Sequence, residues 1–132
     1  MMPDAPRIKQ DHRELSQKAL DIQSDVIMLV SADFTDFKRL PHGPLLRDRL
    51  GRAEHKISDS EPFTTELPNK AGTRLTLAGL TAGSSAFERL TLARKLVAAH
   101  RSPPQPKRLT VGCFGLTPGL AEAACEAIVA AT

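Results

Sequence analysis

Arg74-Leu75-Thr76-Leu77-Ala78-Gly79-Leu80, with the turn Thr81-Ala82-Gly83-Ser84 behind it, is the stretch on which the fold depends. It reads as a strand running into a glycine turn. A helical pattern follows from about Ser85 to His100, and Ser102-Pro103-Pro104-Gln105-Pro106 then breaks the chain. A second apolar run, Leu109-Thr110-Val111-Gly112-Cys113-Phe114, comes next, and a last helix is expected from Pro118. Two short runs rich in apolar and β-branched residues, joined by a helix, make a βαβ unit. Such a crossover puts its strands parallel in one sheet.

The rest of the chain adds layers to that unit. Val26-Ile27-Met28-Leu29-Val30 is apolar on both faces, as a central strand covered on both sides must be. Arg7-Ile8-Lys9-Gln10 reads as a short edge strand whose charges discourage pairing with other molecules, and Glu14 to Leu20 reads alternatively as a helical turn. Pro41-His42-Gly43-Pro44 is a breaker cluster, with Pro44 placed as a first helical residue. Leu45, Leu46 and Leu50 mark the inner face of the helix that follows. Gly51 is a candidate terminator, although the pattern can run on to His55. Phe63-Thr64-Thr65-Glu66-Leu67 and Arg74–Leu80 flank a turn-rich segment, Pro68 to Gly72, and so predict a β-hairpin. Pro62 and Pro68 put its first strand at or near an edge.

The crossover helix carries the clearest start signal, a capping box at Ser85-Ala86-Phe87-Glu88. Ala86, Leu90, Ala93 and Val97, with Phe87 and Leu96, predict its buried stripe. Arg89, Arg94 and Lys95 predict its solvated side. Thr117 reads as the cap of the last helix, with Leu120, Ala121, Ala124, Cys125 and Ile128 on its apolar side.

A chain of 132 residues suits one domain. Apolar content of 41% and charged content of 25% point away from disorder and from fibres. The run Val26–Val30 is far short of the roughly 20 residues that span a bilayer. The polar start, with Asp4, Arg7, Lys9 and Asp11, has no signal-peptide core, so a cytoplasmic protein without membrane attachment is expected. The net charge of +3 is mild, and with no Trp, no Tyr and five Phe the chain has little to stack on bases, so a nucleic-acid partner is not expected. Cys113 and Cys125 read as small core hydrophobes; a disulfide or redox pair lacks the close spacing and the secreted context.

The four histidines, His12, His42, His55 and His100, are too scattered for metal-ligand spacing and read as surface or loop residues. Glu122 and Glu126 read as an exposed helix face. No catalytic residues and no metal ligands are assigned to this segment. The best local case for a ligand is a possible anion-binding turn at Gly83, Ser84 and Ser85, where a strand ends and a helix N-terminus begins. Neither a Gly-Lys-Ser/Thr phosphate loop nor a GxGxxG pattern accompanies it. Any tight βα turn has these features, so a turn with no ligand is the leading reading there. The turn from Gly112 to Gly119, with Gly115 between, is a second and weaker case.

The stretches Thr73–Leu80 and Phe87–Leu96, the strand Arg108-Leu109-Thr110-Val111 and the apolar run after Ser24-Asp25 resemble the N-terminal domain of the leucyl aminopeptidase family, the cytosolic di-metal exopeptidases. The resemblance covers most of the chain as a pattern of elements. It implies an α/β fold of three macrodomain-like layers, with a mixed, mostly parallel sheet and helices on both faces. It also implies a single N-terminal accessory domain spanning 1–132, with a catalytic peptidase domain after it. That second domain holds the family's two divalent metal ions, zinc or manganese, and its motif Asn-Thr-Asp-Ala-Glu-Gly-Arg, which is absent here. The partners implied are the chain's own catalytic domain and further copies in a hexamer. A competing expectation is a stand-alone macrodomain-type module holding ADP-ribose or a related nucleotide at the Gly83 or Gly115 turn.

Overall fold

A computed structural model describes residues 7–9 (backbone only), 14–58, 60–102, 106 and 108–132. His12, Gln10 and the prolines at 103 and 104 fall outside the described residues. The elements in chain order are β1 (Arg7–Lys9), α1 (Gln17–Leu20), β2 (Asp25–Ser31), a 3₁₀ turn (Phe37–Arg39), α2 (Gly43–Arg52), β3 (Phe63–Glu66), β4 (Arg74–Leu80), α3 (Ala86–Ala98), β5 (Arg108–Phe114) and α4 (Pro118–Ala131). The strands form one sheet in the order β1-β5-β2-β4-β3. β3 alone is antiparallel, pairing Phe63 with Leu77 and Glu66 with Arg74. The fold is therefore α/β with a mixed, mostly parallel sheet. The crossover from β4 to β5 passes over β2, which lies hydrogen-bonded between them.

β2 shows why both faces must be covered. Its side chains alternate: Val26, Met28 and Val30 pack with Leu20, Leu46 and Leu50 from α1 and α2. Ile27 and Leu29 pack with Ala93, Leu96 and Val97 of α3 and with Ala124 and Ile128 of α4. Helices thus lie on both faces of the sheet, and burial of these aliphatic side chains supplies most of the driving force, roughly 1.5–3 kcal/mol for each large one.

Local signals place the helix starts. The Ser85 hydroxyl accepts from Glu88 N while Ser85 N donates to the Glu88 carboxylate, completing the capping box. Thr117 caps α4 by accepting from Leu120 N. Two expectations need correction. Ala86 and Phe87 do not belong to the buried stripe of α3; both are exposed, Phe87 at 76%, and burial begins only where the helix comes over the sheet at Ala93.

Gly51 does not stop α2 either. The helix runs through it to Arg52 and closes with His55 N donating to Leu50 O and Glu54 N to Gly51 O. This is the paired closure usually built on a left-handed glycine. Here Glu54 takes the left-handed conformation, at φ 52°, and is exposed. Glu54→Gly is expected to raise stability by about 0.5–1 kcal/mol, the strain of a left-handed side chain outweighing glycine's extra freedom in the unfolded chain. An increased midpoint of urea unfolding checks this; a decrease contradicts it.

Candidate functional site

Strand register builds the most connected polar cluster in the described residues. Asp25 begins β2 and stands directly beside Arg74, the first residue of β4. Two residues on, Thr76 points to the same face and is paired with Thr64 of β3. α3 then carries the chain back across the sheet and delivers His100 to this edge. Asp25 Oδ1 lies 2.7 Å from Arg74 Nε and 2.7 Å from His100 Nδ1. His100 Nε2 is 2.9 Å from Thr76 Oγ1, which is 3.1 Å from Thr64 Oγ1.

A carboxylate only accepts, so Nδ1 of His100 carries the proton and, in the neutral ring, Nε2 accepts from Thr76. The chain of hydrogen bonds then runs from Thr64, an exposed residue of β3, inward to Asp25. The Asp–His–Thr order is that of a hydrolytic triad, yet Asp25, Thr76 and His100 are buried at 4%, 0% and 2% exposure. The reading of His100 as a surface histidine is therefore corrected: just past the end of α3 the imidazole is buried against Asp25 and Thr76, and the long-range register that pairs it with Asp25 cannot be seen in the residues around it. The cluster also holds backbone, since Arg74 donates to His100 O and Ser102 O, both at 3.0 Å.

Burial pulls the His100 pKa below its ordinary 6.5, outweighing the opposing hydrogen bond and charge of Asp25, and Arg74 lowers it further. The unfolded chain consequently binds more protons between the depressed value and 6.5. Stability from this group is complete above 6.5 and is lost as pH falls through the folded-state value. The urea midpoint is expected to fall on acidification from pH 7.5 to pH 5, and His100→Gln is expected to flatten that slope. An equally steep slope in the variant would show that another group sets it. Asp21, whose pKa is lowered by hydrogen bonds from Asn69 and His42, acts in a separate window, below its ordinary 3.8.

The remaining histidines have structural partners. His42 Nε2 lies 2.6 Å from Asp21, and Asn69 ties the same Asp21 oxygen to Thr73. His55 Nε2 donates to Glu61 O at 2.8 Å, its ring 5.4 Å from that of Phe63. Glu122 and Glu126 are exposed, as expected. Cys113 of β5 and Cys125 of α4 are free thiols in the apolar cluster between the sheet and the α3–α4 layer. The Cys113 thiol is pushed up by its hydrogen bond with Cys125 and by burial, which keeps it protonated. Among the described residues, no group of three or more His, Cys, Asp or Glu side chains is placed to hold a metal ion.

The turn at Gly83, Ser84 and Ser85 lies at the carboxyl end of β4. Ser84 N donates to Thr81 O, and the Ser85 and Glu88 amides are engaged by the capping box. Arg89 reaches back to the Ser84 carbonyl. The Ser84 hydroxyl is buried with no partner among the described residues. At the second turn Gly115 adopts φ 69° and packs against the Phe34 ring.

Two clefts open beside the carboxyl end of β2. One of about 910 Å³ lies between the 3₁₀ turn and the outer side of α2; one of about 320 Å³ lies between the chain after β2 and the segment around Ile57. Thr35, Phe37 and Arg47 line both, and no member of the Asp25–His100–Thr76 cluster lines either. The walls all come from residues 32–58, and sequence reasoning missed them because only the folding of the 3₁₀ turn back against α2 makes that stretch concave. Among the described residues no helix is long and apolar enough to cross a membrane. The chain matches none of the known protein families against which it was compared, and no curated protein matches it.

Proposed function

We propose that the chain is a non-catalytic N-terminal domain of a leucyl aminopeptidase-like metallo-exopeptidase, cytoplasmic, which helps fold or assemble its parent or shapes substrate access. The parent would release N-terminal amino acids from peptides with two divalent ions, zinc or manganese, held by the catalytic domain. The domain's partners would be that catalytic domain and further copies in a hexamer. Support comes from the residue pattern at Thr73–Leu96 together with the α/β order of elements. The observation that carries the reading is the inward placement of Asp25, His100 and Thr76, whose polar atoms hold the sheet edge and the end of α3 to one another. The test assays residues 1–132 and the longer natural product on leucyl-anilide with manganese or zinc. Turnover by the longer protein alone is expected, and turnover by the fragment would overturn the proposal.

A second reading, a module for ADP-ribose or a related nucleotide, is favoured by the unpartnered Ser84 hydroxyl in the Gly83–Ser85 turn. Calorimetry with ADP-ribose tests it, and absence of heat at millimolar ligand retires it.

A further inference from the structure

Two glycines shape the clefts beside β2. A Cβ on Gly43 would lie 1.6 Å from the carbonyl oxygen of Phe37, so only glycine lets the 3₁₀ turn rest on the start of α2. A Cβ on Gly79 would lie 2.5 Å from the carbonyl oxygen of Ile57 and 3.0 Å from Ala32 Cα, so only glycine lets the segment around Ile57 lie over β4. The first contact positions Phe37 and the wall of the larger cleft, the second the far wall of the smaller. The left-handed turn at Glu54 directs the chain into that second wall. The clefts are thus formed by backbone contacts that leave no room for a side chain. They lie outside the carboxyl end of a central strand, the place where open α/β sheets take ligands.

Of the basic side chains on α2 and the 3₁₀ turn, three are engaged, and two that line the clefts, Arg47 and Lys38, have no partner among the described residues. Arg39 pairs with Glu14, Arg49 is bonded to Thr65 and Glu66 of β3, and Arg52 pairs with Asp48. Arg47, at the wall common to both clefts, has no partner among the described residues. Beside it is the half-buried ring of Phe37, held edge-on by Phe34 with centroids 6.4 Å apart. Lys38 stands on the rim of the larger cleft. Of the two carboxylates on the walls besides Asp48, Asp36 faces Arg39 and is partly compensated; the other is Asp33. A fixed aromatic surface next to an unpaired guanidinium suits a molecule with an apolar body and an oxyanion, since guanidinium binds carboxylate or phosphate through two parallel hydrogen bonds.

We propose that the joined clefts around Arg47 and Phe37 bind a small molecule bearing a carboxylate or a phosphate on an aromatic or aliphatic body, with Arg47 as the anion anchor. This site is separate from the Gly83 turn, adjoins the Gly115 turn only through the Phe34 ring, and does not depend on the proposed peptidase context.

The test follows backbone amide resonances of the full chain during titration with phenyl phosphate, 3-phenylpropionate, inorganic phosphate and benzyl alcohol. Saturable shifts at Thr35, Phe37, Lys38 and Arg47 are expected with the first two probes, at least about tenfold tighter than with either half-molecule, a factor worth about 1.4 kcal/mol. Arg47→Ala is expected to weaken both about tenfold or more, and Phe37→Leu to reduce the gain from the ring. Arg47 is exposed, so its variant folds; an unchanged amide spectrum away from the cleft verifies this. The tighter of phenyl phosphate and 3-phenylpropionate identifies the oxyanion. The proposal is overturned by no saturation at 10-fold millimolar excess of both probes, by shifts centred on the Gly83–Ser85 turn, or by unchanged affinity in Arg47→Ala.

Discussion

Gly43→Ala is expected to lower stability by at least about 3 kcal/mol and the thermal midpoint by more than about 10 °C. The reason is backbone against backbone. The new methyl would stand 1.6 Å from the Phe37 carbonyl oxygen and 2.7 Å from its carbon, and neither can rotate away as a side chain would. That same oxygen accepts from Leu40 N, and Gly43 N donates to Leu40 O, so retreat of the 3₁₀ turn breaks the bonds that close it. Leu40, Leu46 and Phe37 pack into the layer under α2, and the disturbance would reach the core. Gly51→Ala on the same helix is the control. Nothing lies within 4 Å of its added Cβ, and the position is in the last turn of α2. Its expected effect is a gain of about 0.5–1 kcal/mol from helix propensity alone. Opposite signs for one substitution in one helix, read by thermal and urea unfolding, separate close approach from propensity. Loss of stability in both variants, or in neither, would contradict the account.

The contrast between these two glycines also shows what the sequence could disclose. Short-range features were legible because the chemistry that decides them sits within a few residues: the Ser85–Glu88 capping box, the Thr117 cap, the hairpin around Pro68 to Gly72 and the two-sided apolar run of β2. Gly43 and Gly51 look alike in sequence, since what tells them apart is Phe37, brought back against the helix by the 3₁₀ turn. Gly51 looked like a terminator by composition, whereas the chain closes α2 with Glu54, a residue with no special liking for that conformation. Phe87 looked buried by spacing, but the first turn of α3 stands clear of the sheet, and periodicity reports a face without reporting where cover begins. The polar cluster was least legible. Asp25, Thr76 and His100 meet only because β2 and β4 pair in one register and α3 has the length to return His100 to the same edge. Each residue alone reads as a strand end, a strand threonine or a helix terminus.

Removing Asp25 is expected to do more damage than removing any other side chain of that cluster. Its carboxylate is the common acceptor for Arg74 Nε, His100 Nδ1 and the Ser24 hydroxyl. Asp25→Ala leaves a guanidinium whose side chain is only 20% exposed and an imidazole N–H at 1% without that acceptor. Taking one partner from a buried ion pair costs about 3–5 kcal/mol, most of it for the group left behind. Asp25→Asn keeps a carbonyl for one of the two donors and loses the charge, so its loss should be smaller, about 1.5–3 kcal/mol. The two variants also predict a signature that simple loss of packing would not give. Asp25 raises the His100 pKa against the stronger effect of burial. Without that carboxylate, burial and Arg74 act unopposed, and the imidazole should titrate at still lower pH in Asp25→Asn than in the parent chain. Proton NMR of the His100 ring reads this directly. A titration midpoint that moved upward would mean that the ring had escaped to solvent, and the clasp between β2, β4 and the end of α3 would then not be what holds it in place.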